Sequence, residues 1–288
     1  MDFQNLLAFI NVSETRSFSK AGEKLFITQP AVSKRISALE QELNITLFDR
    51  IGKKVQLTEA GLALLPSARR ILNELEESRR VISNLSGTVG GRLRLGTSHH
   101  IGLHRLPPVL RAYTAQFPEV DLDIQFMDSE AACDAVLKGE LELAIATLPE
   151  QPENNLATEI IWRDPLGIVI SKNHSLASQK QISINQLIKH SAILPSQSTF
   201  TRRLMEKALN IDSQKMKVAM ETNYLETIKM MVSIGLGWSV LPVSMLDKDL
   251  KTIAIKGIKM ERLLGAAYHS ERTLSNAGKM LLGVLQGQ

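Results

Sequence analysis

The 288-residue sequence predicts a chain of three parts, because its hydrophobic pattern changes twice along its length. Residues 1–58 show short helical patterns that end in a hairpin, as in a winged helix-turn-helix domain. Residues 59–91 hold one long amphipathic helix and a glycine-rich hinge, and residues 92–288 alternate strand and helix patterns. The predicted fold is an N-terminal winged helix-turn-helix, a long linker helix and an α/β domain of two subdomains. The predicted lobes of that domain are residues 92–162 with 266–288, and residues 163–265.

Composition narrows the class of protein and its compartment. The hydrophobic fraction of 44% and the charged fraction of 22% are typical of globular proteins. No apolar run approaches the roughly 20 residues that a membrane span needs, and no secretion signal is present, so we expect a cytoplasmic protein without a membrane partner. The single cysteine, Cys133, excludes an intramolecular disulfide; we expect it to be buried, with an oxidant sensor as the alternative. The net charge of +4 permits a nucleic-acid partner.

The segment Ile27–Glu40 predicts the second helix of a helix-turn-helix. Thr28 can cap this helix through its hydroxyl, and Pro30 is tolerated in a first turn, where its missing N–H had no partner. Apolar residues at helical spacing, from Val32 to Leu43, predict the buried face. Glutamine can pair with adenine, and serine or lysine can reach bases or phosphates, so the other face is predicted to enter the major groove of DNA. The predicted DNA-binding residues of this helix are Gln29, Pro30, Ser33, Lys34, Arg35 and Ser37.

A hairpin from Asp49 to Leu57 predicts the wing of the same domain. Gly52 suits its turn, and the basic residues beside it would lie along DNA phosphates, where they add affinity without sequence choice. These wing residues are Arg50, Lys53 and Lys54. The alternative interpretation is a three-helix bundle whose basic residues are only solvated.

A long helix is predicted from Thr58, a second candidate cap, to about Ser86. Its apolar positions alternate by four and three residues, which is the spacing of a coiled-coil seam. The seam consists of Leu64, Ala68, Ile71, Leu75, Ser78, Ile82 and Leu85. A surface helix packed on its own domain could show a similar pattern, but pairing between two chains is the better interpretation. A homodimer would place two recognition helices about 34 Å apart on a pseudo-palindromic site in double-stranded DNA.

Strand and helix patterns alternate after the hinge and predict a mostly parallel sheet. Among them are the strand Arg92–Gly96, the helix Leu103–Gln116 and the strand Gly167–Ser171, which begins the second set. Two α/β subdomains leave a cleft between them, where strand ends and helix starts converge. The residues predicted to face this cleft are Thr97, Ser98, His99, Thr147, Ser196, Ser198 and Asn223.

The run Thr97-Ser-His-His100 raises three possibilities. His100 and His104 are four residues apart and could form a metal pair on one helix face, but no nearby Glu or Cys completes a metal signature, so we expect no metal. Nucleophilic catalysis lacks a local signature as well. We expect His100 and His104 to satisfy backbone groups at the turn. The hydroxyls of Thr97 and Ser98, the N–H groups of the next helix and the imidazole of His99 would form a corner that binds a small anion.

Five motifs in the first 61 residues resemble those of the LysR-type transcriptional regulators. They are Ser17-Phe-Ser-Lys-Ala, Thr28-Gln-Pro-Ala-Val-Ser33, Leu39-Glu40, Leu47-Phe-Asp-Arg50 and Leu57-Thr-Glu-Ala-Gly61, in the order and spacing of the family. Gly22 stands where the family often has alanine, and Asn44 where it often has glycine; neither departure affects the expected DNA contacts. The segment Gly235–Pro242 matches a recurring segment of the family's effector domain, which is similar in fold to two-lobed periplasmic binding proteins of type II.

The resemblance implies a transcriptional regulator that responds to an effector, uses no cofactor and is not an enzyme. It also implies a homodimer through the linker helix and often a homotetramer, with RNA polymerase as a further partner. The family's cysteine-biosynthesis regulators carry a similar run before a helix with Leu-Pro, here Leu106-Pro107, which implies a sulfur oxyanion such as sulfite or sulfate. A small carboxylate is equally consistent with the chemistry. The alternative is a two-lobed binding protein or enzyme whose N-terminal domain docks another protein.

Overall fold

The chain is divided into two compact units, residues 1–85 and residues 86–288, each with its own hydrophobic core. A computed structural model describes residues 2–51, 54–85, 87–211 and 216–287, without the side chains of residues 50, 51, 54 and 83. Within those ranges, no helix combines the length and the apolar character that a membrane crossing requires.

The N-terminal unit contains helices and one hairpin, in the order that the sequence predicts. These elements are α1 Phe3–Thr15, α2 Phe18–Leu25, α3 Gln29–Leu43, β1 Phe48–Ile51, β2 Lys54–Leu57 and α4 Glu59–Leu85. Thr28 caps α3 by accepting a hydrogen bond from the N–H of Ala31, and Asn44 ends the helix in the left-handed conformation, with φ at 50°. The predicted helix-turn-helix with an antiparallel hairpin behind it is therefore confirmed.

The helices α1, α2 and α3 pack around one core, in which Phe9, Val32 and Leu39 have no exposed surface. Gly22 in α2 lies against the turn that follows that helix. A Cβ at this position would come 2.7 Å from the carbonyl oxygen of Ile27, closer than side-chain carbons approach backbone. The close contact explains why α2 keeps a glycine that costs about 1 kcal/mol of helix propensity against alanine.

The long helix α4 begins at its predicted cap, because the Thr58 hydroxyl accepts a hydrogen bond from the N–H of Gly61 at 3.1 Å. The prediction that Ala68 belongs to an intermolecular seam is wrong: Ala68 is fully buried in the core of its own unit. Its small side chain allows α4 to pack against α1. Further along, Ile82 and Leu85 are 69% and 83% exposed, so the last part of the seam stays open.

The C-terminal unit combines one large mixed sheet, a small parallel sheet and surrounding helices. The strands are β3 Gly91–Thr97, β4 Val120–Phe126, β5 Leu143–Thr147, β6 Leu156–Ser171, β7 Gln181–Ile182, β8 Ala192–Leu194, β9 Val218–Glu221, β10 Ser239–Pro242, β11 Leu250–Ile255 and β12 Met260–His269. The helices are α5 His99–His104, α6 Leu106–Gln116, α7 Ser129–Leu137, α8 Ile184–Leu187, α9 Phe200–Leu209, α10 Leu225–Ser233 and α11 Asn276–Gln286, with a 3₁₀ turn at Val243–Met245.

The large sheet has the order β4-β3-β5-β12-β6-β11-β7, and β10 also pairs with β6. β3 runs parallel to β4 and β5, but β12 is antiparallel to both β5 and β6, and β10 and β11 are antiparallel to β6. The predicted parallel arrangement therefore holds for β3, β4 and β5 and is wrong for the centre of the sheet. There, β6 and β12 pair antiparallel along most of their length.

The sheet supports two lobes with separate cores. Lobe one packs β3–β5, α5–α7 and α11 around residues such as Leu95 and Leu143, and lobe two packs β7–β11 and α8–α10 around residues such as Trp238. Along β6, Trp162 packs against the core of lobe one, and Leu166, four residues later, belongs to the core of lobe two. The two lobes are therefore joined by a strand that is continuous through both.

Prolines explain why the bounds of one predicted helix and one predicted strand differ from the structure. The predicted helix Leu103–Gln116 is two helices, α5 and α6, separated at Arg105. Pro107 and Pro108 open α6 and have no N–H to donate, so α5 cannot continue through them. The predicted strand Gly167–Ser171 is only the end of β6, which has 16 residues and accommodates Pro165.

Candidate functional site

The first candidate surface is the outer face of α3. Its buried face, with Val32, Ile36 and Leu39, fixes the helix on the core and leaves the polar face outward. Gln29, Pro30, Lys34 and Ser37 are exposed, whereas Ser33 and Arg35 are partly exposed. The Gln29 side-chain amide donates a hydrogen bond to the Ser33 hydroxyl at 2.9 Å, so these two side chains lie together on the first turn. The first turns of α3 thus present short polar groups that could approach base edges.

The hairpin of β1 and β2 forms where the wing is predicted, with Arg50 opposite Val55 in an antiparallel pair. Lys53 and the side chains of Arg50 and Lys54 lie outside the described residues. Their contacts with DNA phosphates remain predictions.

The second candidate site is a cavity of about 240 Å³ between the two lobes of the C-terminal unit. Four of the predicted cleft residues line it, namely Ser98, His99, Thr147 and Asn223. Lobe one contributes the start of α5 and the ends of β4 and β5, and lobe two contributes the residues before α9 and α10. Strand ends and helix starts meet here as the sequence predicts, and the volume suits a small molecule.

A positively charged side chain that was not predicted, Arg262 of β12, also lines this cavity. Its side chain is 5% exposed and donates through Nε to Asp164 Oδ2 at 2.7 Å. Nη1 lies 3.4 Å from the Thr201 hydroxyl, which accepts from it. Nη2 is buried and has no hydrogen-bond partner among the described residues. Arg262 therefore lines the cavity and retains a buried charged donor without a partner among those residues.

His99 lies between aromatic rings from both lobes. Its ring centroid is 5.1 Å from that of Phe126 at the end of β4 and 4.8 Å from that of Tyr224, which precedes α10. The contact with Tyr224 is edge to face, a favourable arrangement of aromatic rings. Phe126 and Tyr224 are both about half exposed, so this cluster lies at the mouth of the cavity.

Two carboxyl groups also line the cavity and were not predicted. Asp128 accepts a hydrogen bond from the side-chain amide of Asn223 at 2.7 Å, which connects lobe one with lobe two. Glu130 accepts a hydrogen bond from the backbone N–H of Phe200. Burial raises the pKa of Glu130, so its neutral form is favoured relative to a solvated carboxyl group.

Three predicted cleft residues occupy other positions. Thr97 is fully buried, and its hydroxyl donates to the carbonyl oxygen of Ile145 at 2.8 Å, because the last residue of β3 faces β5. The predicted ligand contact of the Thr97 hydroxyl is therefore wrong. The hydroxyls of Ser196 and Ser198 lie 3.0 Å from each other and outside the cavity lining. Ser196 instead orients Asn223, because its backbone N–H donates to the Asn223 side-chain oxygen at 2.9 Å.

The pair His100 and His104 meets a carboxylate rather than the backbone of the turn, which corrects the expectation for both residues. His100 Nδ1 lies 3.3 Å and His104 Nε2 lies 2.9 Å from Oε1 of Glu226, on α10 of lobe two. His100 is 5% exposed, and burial and the nearby charge of Arg262 lower its pKa despite the contact with Glu226. Sequence spacing could not reveal this cluster, because Glu226 is more than 120 residues away.

Cys133 is buried in α7, as predicted, and 4% of its surface is exposed. Burial raises the pKa of its thiol to about 12, with smaller contributions from nearby carboxylates such as Glu130. The reactive thiolate form is therefore scarce at neutral pH, which is unfavourable for an oxidant sensor.

A winged helix-turn-helix joined to a two-lobed α/β cleft defines a class of DNA-binding regulators that carry a small-molecule-binding domain. Two family models match the chain: "Bacterial regulatory helix-turn-helix protein, lysR family" over residues 3–62, and "LysR substrate binding domain" over residues 86–288. The chain belongs to the LysR family of DNA-binding transcriptional regulators.

Relatives and solved structures agree with this membership. The "Probable RuBisCO transcriptional regulator" of Trieres chinensis is 32% identical over 286 residues, which cover 95% of this chain and 93% of the relative. A regulator from the ibpB-leuC intergenic region of Azotobacter vinelandii is 68% identical over 108 residues, which cover 38% of this chain and 75% of the relative.

A full-length variant of OxyR from Pseudomonas aeruginosa superposes with a TM-score of 0.70 at 22% identity, and the match covers 100% of this chain and 94% of the OxyR chain. Full-length CbnR in complex with its target DNA has a TM-score of 0.63 at 22% identity, with coverages of 99% and 97%. At these identities the two structures show a shared fold.

Proposed function

We propose that this regulator is controlled by a small anion bound in the interlobe cavity, and that it acts by binding DNA rather than as an enzyme. The observation that carries the proposal is the buried Nη2 of Arg262, which has no partner among the described residues and belongs to a side chain that lines the cavity. A buried polar donor without a partner costs about 1–3 kcal/mol, and more when it is charged. An anion that accepts a hydrogen bond from this group would remove that cost.

The other groups in the cavity suit the same ligand class. The hydroxyls of Ser98 and Thr201 and the imidazole of His99 could donate further hydrogen bonds. Asp128 would oppose an anion, but it is already held by Asn223, and the raised pKa of Glu130 reduces the repulsion at the other carboxyl group. A sulfur oxyanion such as sulfite or sulfate, or a small carboxylate, fits these donors.

The proposed mechanism follows from the position of the cavity. A ligand that contacts both lobes binds one arrangement of the lobes more tightly than others and shifts the population towards it. In a homo-oligomer, this shift would be coupled to the spacing of the DNA-binding domains, and so to promoter binding or bending and to access for RNA polymerase. The coupling is measurable as an effector-dependent change in DNA affinity or bend angle.

For DNA, we propose that α3 enters the major groove and that the wing lies along phosphates. The proposed contacts are Gln29, Pro30, Ser33, Lys34, Arg35 and Ser37 of α3, with Arg50, Lys53 and Lys54 of the wing. The exposed apolar residues of α4, including Ile82 and Leu85, support a homodimer on a pseudo-palindromic site, and two dimers would form a tetramer.

A thermal-shift screen of sulfate, sulfite and small carboxylates tests the effector proposal. We expect one of these anions to raise the melting temperature of the full chain, since a ligand at 100 times its Kd adds about 2.7 kcal/mol of stability. The double variant Ser98→Ala, His99→Ala should lose this rise and keep basal DNA binding. The matched control is His174→Ala, Ser175→Ala, an adjacent His-Ser pair outside the cavity lining, which should respond like wild type. An equal rise in both double variants would place the effector elsewhere.

A further inference from the structure

The side chains of His100, His104 and Glu226 form a cluster at the junction of α5 and α10. Each residue offers one metal-ligating atom, and the three atoms lie within 4.8 Å of one another. We propose that this cluster is a binding site for a divalent transition-metal ion of the zinc type, held by two imidazoles and one carboxylate. The proposal does not depend on the identity of the effector.

The local structure provides the arrangement of the first two ligands. His100 and His104 are separated by four residues on α5, so both imidazoles project from the same helix face, and their ring centroids are 4.8 Å apart. Two histidines at this spacing form a recurring zinc-binding pair. The missing third ligand of the sequence pattern is supplied by Glu226, from the other lobe.

Two of the three distances between ligand atoms are close to those around a coordinated ion, and all three atoms lie within 4.8 Å of one another. With zinc–ligand bonds of about 2.0–2.2 Å, ligand atoms of a tetrahedral site lie roughly 3.3 Å apart. His100 Nδ1 is 3.3 Å from Glu226 Oε1, and His104 Nε2 is 2.9 Å from the same oxygen. Small side-chain rotations would therefore complete the geometry. Three protein ligands leave one position open for water or for an oxygen of a small anion.

The donor set selects the class of ion. Imidazole suits zinc, copper, nickel and iron, whereas calcium and magnesium prefer sites made of oxygen ligands. His104 is 51% exposed and Glu226 is 37% exposed, which gives an ion a path from solvent, while His100 is held in the interior. The combination of one fixed and two accessible ligands is suitable for reversible binding.

The surrounding charges do not exclude a cation. Arg262 is a positive group that interacts electrostatically with both His100 and Glu226. Its charge is opposed by Asp164, which is 1% exposed and also lies 3.5 Å from Arg105. With Glu226 included, the two arginines face two carboxylates, so the cluster carries no excess of positive charge.

Metal binding at this site would have a structural consequence. α5 belongs to lobe one and α10 to lobe two, so one ion would connect the lobes beside the cavity. The ion would stabilise the arrangement in which the two helices are close, by the same linkage that governs any ligand. The alternative is a metal-free clasp in which the histidines only hydrogen-bond to Glu226.

Zinc titration of the chelator-treated full chain, with a competing chromogenic chelator, tests the proposal. We expect one zinc ion per chain, and cobalt in its place should give the visible absorption of a site with nitrogen and oxygen ligands. His104→Ala and Glu226→Gln should each weaken zinc binding by about tenfold or more, since even loss of an outer partner of a ligand costs about 10–100-fold. Glu226→Gln keeps an oxygen that can accept hydrogen bonds from the histidines, so it separates metal binding from a clasp.

The matched control is His190→Ala. His190 and His174 form another histidine pair, with ring centroids 4.7 Å apart, and among the described residues no third ligand completes it as a metal site. Zinc binding should be unchanged in this variant, and circular dichroism should show that all variants are folded. Absence of zinc binding by wild type would overturn the proposal in favour of the clasp. Equal zinc binding by wild type, His104→Ala and Glu226→Gln, or a loss only in His190→Ala, would overturn it as well.

Discussion

Replacement of Asp164 by alanine is expected to destabilise the C-terminal unit by about 3–5 kcal/mol, because it leaves the buried charge of Arg262 without its partner. Asp164 is 1% exposed and accepts from Arg262 Nε at 2.7 Å across the pair of β6 and β12. Urea unfolding followed by tryptophan fluorescence measures this directly. Both tryptophans, Trp162 and Trp238, lie in the C-terminal unit, so the signal reports on that unit alone.

The same two strands provide the matched control. Arg163 and Glu261 form an ion pair at 2.7 Å, but their side chains are 69% and 41% exposed. Glu261→Ala should therefore cost less than about 1 kcal/mol. The double variant Asp164→Leu, Arg262→Met should recover most of the lost stability, because a hydrophobic pair can replace a buried ion pair. Equal costs for Asp164→Ala and Glu261→Ala would contradict the role assigned to the buried pair.

Replacement of Ile82 by lysine is expected to dissociate the proposed homodimer and to reduce affinity for a two-half-site DNA by about 10²–10⁴-fold, the usual gain from linking two binding modules. Ile82 is 69% exposed on α4, and in a dimer it would be buried against the partner helix, where a charge is costly. Analytical ultracentrifugation gives the oligomeric state, and fluorescence anisotropy gives the DNA affinity.

The control for this substitution is Asn84→Lys, which adds the same charge to the same helix. Residue 84 is about 200° around the helix from residue 82, so it points away from the seam. This variant should remain dimeric and bind DNA like wild type. If Ile82→Lys also remained dimeric, the exposed end of α4 would not be the dimer contact.

The parts of the fold that the sequence predicts well are those with local signals. The cap at Thr28, the buried stripe of α3 and the left-handed residue Asn44 define the helix-turn-helix within one stretch of chain. The linker helix is predicted for the same reason. Whether this helix packs on its own domain or on a second chain depends on residues far away in the sequence. Ala68 packs on its own domain because α1, more than 50 residues earlier, covers it.

The parts that the sequence does not predict depend on contacts between distant residues. Arg262 and Asp164 are 98 residues apart and meet only because β6 and β12 pair antiparallel. Pro165 makes β6 resemble two shorter segments, so neither that pairing nor the charge it brings to the cavity was predicted. For Thr97, the sequence predicts the position at a strand end correctly, because that signal is local. The direction of its hydroxyl is not predicted, because it depends on the neighbouring strand β5.

The proposal that α3 reads DNA sequence predicts that the chain binds specific DNA more tightly than random DNA. Fluorescence anisotropy compares the affinity of the chain for its own upstream DNA with its affinity for a scrambled duplex, at two salt concentrations. We expect wild type to prefer the upstream DNA by about 10³-fold or more. Gln29→Ala should lose about 1–3 kcal/mol of that preference without weaker binding to the scrambled duplex. The control Gln41→Ala, near the other end of α3, should keep the preference. Equal affinity of wild type for both duplexes, or an equal loss on both in Gln29→Ala, would show that α3 is not the helix that reads DNA sequence.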